Sequence, residues 1–91
     1  TILKKLASST ELPNQYALYN LGCIEAKTGD TKQAIKHFSG AIKADKMFAE
    51  AYYNRGLLLL EQGEKDKARQ DLSKAGELGL YKAYAILKGG F

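Results

Sequence analysis

The stretch YYNRGLLLLEQGE, residues 52–64, reads as helix but breaks two rules of a one-sided surface helix. Gly56 stands in its interior, where glycine costs about 1 kcal/mol relative to alanine. Leu57, Leu58, Leu59 and Leu60 follow it, and four consecutive apolar residues wrap right round a helix instead of marking one face. A helix with apolar residues on every side needs neighbours on more than one side. A helix with a central glycine needs one of those neighbours close.

The neighbours are written in the same sequence, displaced by 34 residues. Under that shift Ala17 falls on Ala51, Tyr19 on Tyr53, Asn20 on Asn54 and Gly22 on Gly56. Gly29 falls on Gly63, Ala34 on Ala68, Ser39 on Ser73 and Ala41 on Ala75. Ordinary residue frequencies give about two such identities per period, so eight without a gap is an internal repeat. Within each period the chain shows two helical patterns separated by Gly29-Asp30 or Gly63-Glu64. Residues 13–28, opened by Pro13, bring Ala17, Leu18, Leu21 and Ile24 to one side. Residues 31–44 bring Ala34, Ile35, Phe38, Ala41 and Ile42 to one side. Asp30 followed by Gln33 has the spacing of a capping box. No alternating β pattern appears, so the chain is expected to be all-α.

With two helices and a glycine turn in 34 residues, the chain resembles the tetratricopeptide repeat family. The residues that carry the resemblance are Gly22 and Gly56, Ala34 and Ala68, Phe38 and Leu72, Ala41 and Ala75, and the turn glycines Gly29 and Gly63. It implies a right-handed superhelical α-solenoid of antiparallel helix pairs, about five helices in a single domain over 1–91. Residues 15–48 form the first repeat and 49–82 the second. Residues 1–12, with Ile2, Leu3, Leu6 and Ala7, read as the last helix of a preceding repeat. Residues 80–91 read as a capping helix, with Gly90 one period after Gly56. Small residues let paired helices approach, and Gly22 is expected to meet Ala34 as Gly56 meets Ala68. Arg69 and Gly76 replace the apolar Ile35 and Ile42, so the second repeat is expected to lean on the C-terminal helix.

The resemblance also implies a function. In this family the first helices line a concave groove that binds an extended peptide or a partner's helix. Carried over slot by slot, the groove holds Tyr16, Tyr19, Asn20, Cys23, Ala26 and Lys27 from the first repeat. Glu50, Tyr53, Asn54, Leu57, Leu60 and Glu61 come from the second, and Tyr84, Leu87, Lys88 and Phe91 from the last helix. Tyr19 and Tyr53 serve equally well as packing between helices, and Cys23 as a small apolar filler. Among the leucines, Leu58 and Leu59 are expected to face the stack, with Leu57 and Leu60 in the groove. Relatives that grip the acidic C-terminus of heat-shock chaperones carry basic and amide residues at the slots of Tyr19, Cys23, Asn54, Tyr84 and Lys88. Only Asn54 and Lys88 suit that carboxylate clamp, so it is disfavoured. An aromatic and aliphatic groove favours an apolar or amphipathic protein segment, or a second copy of the chain.

No residues point to catalysis or to a cofactor. One histidine and one cysteine do not make a metal site of the usual ligand count, and His37 is expected to face outward. No phosphate loop or nucleophile motif occurs; TGDT at 28–31 reads as a turn. The net charge of +4 comes from scattered lysines, which read as a solvated surface, so nucleic-acid binding through Tyr81, Lys82, Tyr84 and Lys88 is not expected. No apolar run reaches the roughly 20 residues of a membrane span. A soluble location is expected, in the cytoplasm or a bacterial periplasm. Because Thr1 and not methionine opens the sequence, a processed form or a fragment is expected.

Overall fold

The computed structural model describes residues 14–91. The expected helix of residues 1–12 lies outside this range. The described residues form five helices: α1 (Asn14–Thr28), α2 (Thr31–Ala44), α3 (Ala49–Glu61), α4 (Lys65–Glu77) and α5 (Lys82–Gly89). Successive helices pack on one another, α1 with α2, α2 with α3, α3 with α4 and α4 with α5, and α1 also touches α3. This is an all-helical solenoid of paired helices. Among the described residues no helix is long and apolar enough to cross a membrane.

The turns that fold each pair back share one hydrogen-bond pattern. Gly29 takes φ +89°, its N–H donates to the Ala26 carbonyl, and the Asp30 N–H reaches the Glu25 carbonyl at 2.8 Å. Gly63 repeats the arrangement with Leu60 and Leu59. This is a Schellman stop, in which a residue without Cβ lets the chain reverse while satisfying the last carbonyls of the helix. It also explains why the expected capping box is missing. A box needs the Asp30 N–H free to receive the Gln33 side chain, but that N–H already donates to Glu25. The Asp30 side chain makes no capping bond either.

Both repeats bury the same slot. Phe38 and Leu72, the largest fully buried side chains, lie one period apart. The close approach differs in detail from the small-against-small expectation. A Cβ at Gly22 would lie 2.7 Å from the Phe38 ring, and one at Gly56 would lie 3.0 Å from Leu72, so the nearest neighbour of each glycine is a large side chain. A hole opposite a bulky knob fills the space between helices more fully than two small residues would. In the leucine run Leu58 and Leu59 are buried as expected, and Leu57 and Leu60 are half-buried.

The first helix departs from expectation. Leu18 packs over Gly40, but Leu21 and Ile24 are 45% and 59% exposed. Their period-mates in α3 are Arg55, which bonds Ser39 of α2, and Leu58, which packs against Phe38 of α2. The same face of α1 therefore points where a preceding helix would stack.

The last helix is out of register. Ala83 is its fully buried residue, and it lies 32 residues after its buried counterpart Ala51, not 34. Gly90 has φ +77° and stops the helix instead of serving as a crossing point. The expected lean on this helix is present. The Tyr84 ring lies where a Cβ on Gly76 would be, 2.5 Å away, so absence of a side chain at Gly76 seats the tyrosine.

Two polar clusters tie helices together. Arg55 of α3 grips Asp71 of α4 through two hydrogen bonds of 2.7 Å and donates to Ser39 of α2 at 3.0 Å. His37 does not face outward: its Nδ1 lies 2.6 Å from Glu25 Oε1 across the α1–α2 contact. Its position beside Phe38 on α2 brings it to the edge of the interface.

Candidate partner-binding groove

The residues expected in the groove separate into three groups. Tyr19 is the hub of the first. Its ring centroid stands 4.8 Å from that of Phe48 and 5.6 Å from that of Phe38, so it is held between a loop and α2. The Asn54 side-chain amide donates to its hydroxyl at 2.9 Å, joining the first helices of the two repeats. Burial, followed by the adjacent Cys23 thiol, pushes the Tyr19 phenol up to about 12, and the Asn54 bond opposes this. A phenol whose folded pKa lies above the free value of about 10 favours the folded state fully below pH ~10 and loses that contribution as the pH rises toward 12. Tyr19→Phe is therefore expected to flatten the fall in stability across this alkaline window. Subtracting the phenolate absorbance of the variant from that of the wild type should show the late titration, and a difference curve centred near pH ~10 would contradict it.

On one side of Tyr19 lies a cleft of ≈ 310 Å³ between α1 and α3. Its floor is Phe38 and Leu58, and Cys23, Ala26, Asn54 and Leu57 form its walls. Lys27 and Glu61 stand at the rim with opposite charges. Helical spacing explains the grouping: Cys23 with Ala26 and Lys27, and Asn54 with Leu57 and Glu61, lie three, four or seven residues apart on facing helices.

On the other side is a wider cleft of ≈ 830 Å³ at the N-terminal ends of the same helices. Tyr16, Tyr19, Asn20 and Glu50 line it as the slots suggest. Asp45, Met47, Phe48 and Leu80 join them from the loops before α3 and α5. Those loop residues were not anticipated, because helical periodicity places residues on helix faces and says nothing about which loops lie side by side.

The remaining expected residues lie elsewhere. Tyr53 packs on the core of Leu72, Ala75 and Ala83, with Lys82 Nζ 4.7 Å from its ring centroid. Leu87 joins that core, and Tyr84 covers Gly76 and stacks on Tyr81. Phe91 packs with Arg69, Lys88 is exposed, and Leu60 lines neither cleft. The two-residue register slip of α5 carries its side chains away from the slots assigned by the 34-residue period.

The paired helices, the Schellman turns and the glycine-opposed Phe38 and Leu72 coincide with a match to the tetratricopeptide repeat family over residues 19–79. The chain belongs to the tetratricopeptide repeat family. Repeats of this family mediate protein–protein interaction. Neutrophil cytosol factor 2 of Bos taurus is 35% identical over 63 residues, which is 69% of this chain and 12% of that protein. Photosystem I assembly protein Ycf3 of Acaryochloris marina is 32% identical over 60 residues, 66% of this chain and 36% of that one. The NADPH oxidase activator of Dictyostelium discoideum is 32% identical over 71 residues, 78% of this chain and 11% of its own length. The chain thus spans about a tenth to a third of the relatives it matches. What it shares with them is a repeat segment.

Proposed function

We propose that the chain is a non-catalytic binding module that holds an apolar or amphipathic segment of a partner protein in the groove between α1 and α3. The observation that carries this reading is the cleft over Phe38 and Leu58, whose apolar walls at Cys23, Ala26 and Leu57 are only partly covered by the chain itself. The slots that a carboxylate clamp would fill with basic and amide side chains hold Tyr19 and Cys23, which favours apolar contact over capture of an acidic tail. Among the relatives, one is named for assembly and another as an activator, and both names suit a module that works by contact.

Cys23 is the sole cysteine and gives a direct test. A photoreactive maleimide attached there should crosslink partner segments, and Ala26→Arg, which fills the cleft with a side chain able to reach solvent, should abolish their retention while helicity persists. Equal retention by wild type and Ala26→Arg would overturn the assignment of the groove. A second reading, repeat-on-repeat stacking, is favoured by the exposed Leu21 and Ile24. It predicts a sedimentation coefficient that falls on dilution and that Ile24→Lys converts to the monomer value.

A further inference from the structure

The wider cleft has a chemistry that the first lacks. Its rings, Tyr16, Tyr19 and Phe48, are accompanied by two charged residues, Asp45 and Glu50, and both are negative. This is unusual in a chain with 14 basic and 10 acidic residues. Among the described residues neither carboxylate belongs to an ion pair; the pairs are His37–Glu25, Arg55–Asp71 and Arg69–Asp66. Asp45 accepts a bond from the Met47 N–H at 3.0 Å, which aims it along the loop and leaves its second oxygen available. Aromatic rings elsewhere in the fold already carry the chain's own cations: Arg55 over Tyr52, Arg69 over Phe91 and Lys82 over Tyr53. The cleft rings carry none of these, and Tyr16 is 51% exposed. Met47, 70% exposed at the rim, adds flexible apolar surface.

We propose that this end of the groove selects a basic side chain, an arginine or lysine flanked by apolar residues, in the bound protein segment. The inference rests on the groove reading above and names the chemistry of its occupant. A cation in this cleft is attracted by the exposed Tyr16 ring and by the two carboxylates that line the same cleft, and each attraction favours the charged side chain over an uncharged one. The apolar neighbours of that residue pack on Phe48, Met47 and Leu80. An acidic segment would be repelled, which adds discrimination without added contact.

The experiment selects binders from a random peptide library on the intact chain and measures the strongest, fluorescein-labelled, by anisotropy. The expected consensus contains arginine or lysine beside apolar residues. Binding should weaken about tenfold in Asp45→Asn/Glu50→Gln, as expected for two partly solvated charge contacts. The wild type should lose affinity with added salt, and the double variant should not. Asparagine retains the oxygen that accepts the Met47 N–H, and Glu50→Gln alone, at an exposed position, serves as a second variant with circular dichroism as control. Binders that lose affinity in Ala26→Arg but show no basic consensus and ignore both charge variants would overturn this inference and leave the groove standing. Failure of any peptide to bind would overturn both. A dimer at assay concentration that Glu50→Gln disperses would overturn it in favour of a second copy as the occupant.

Discussion

Phe38→Ala should destabilise the chain by about 3–5 kcal/mol, the range for removing a fully buried aromatic ring. The magnitude follows from where the ring sits. Phe38 belongs to α2 but touches the helices on both sides of it: its ring fills the space over Gly22 of α1, lies against Tyr19 of the same helix, and packs on Leu58 of α3. In a repeat protein stability is a sum of terms within repeats and terms between neighbours. Phe38 contributes to both kinds of term. With a typical domain stable by only about 5–15 kcal/mol, the substitution should remove a large share of the chain's stability. Phe38→Leu is the internal comparison. Leu72 occupies the equivalent slot over Gly56, so leucine is a shape that this packing accepts, and a loss of only about 1–2 kcal/mol is expected. Urea midpoints followed by circular dichroism measure both. If alanine and leucine cost the same, the ring is not the joint between repeats described here.

Arg55→Met is the second large effect, at about 3 kcal/mol, because it leaves a buried carboxylate without its cation. Asp71 is 5% exposed, and Arg55 supplies both of its guanidinium bonds. Hydrogen bonding to Asp71 holds the arginine above its ordinary pKa, against the opposing effect of burial, so the guanidinium stays charged. Arg55 also donates to Ser39, whose hydroxyl in turn donates to the Ile35 carbonyl at 2.7 Å, so the substitution loosens the α2–α3 seam as well. Asp71→Leu in the Arg55→Met background should recover part of the loss, since an apolar pair of similar volume avoids the stranded charge. A double-mutant cycle reads this directly. Additive costs would show that the two side chains are independent, contrary to the geometry.

Much of this was legible from single residues. The 34-residue period placed Gly22, Gly29, Ala34, Phe38 and their period-mates, and these positions fold as equivalent pairs. The burial of Leu58 and Leu59 was legible too, since a helix flanked on two sides must bury more than one face. What the period hid lay wherever it fails to repeat. Arg55 and Asp71 correspond to Leu21 and His37 in the first repeat, so no recurrence flagged the ion pair. The α5 residues were assigned by a register that the short α4–α5 turn does not keep.

Fold class, repeat length, turn positions and the buried slot were determined by the sequence alone, because each depends on contacts within one helical pair that the spacing of apolar residues and glycines encodes. The composition of the two clefts was decided by tertiary structure. Asp45, Met47 and Leu80 reach the same cleft only because stacking one pair on the next aligns their loops, and that alignment depends on the packing of Tyr19 and Phe48 between helices. Local pattern sets which residues a helix buries. The angle and register of stacking set which of the others meet.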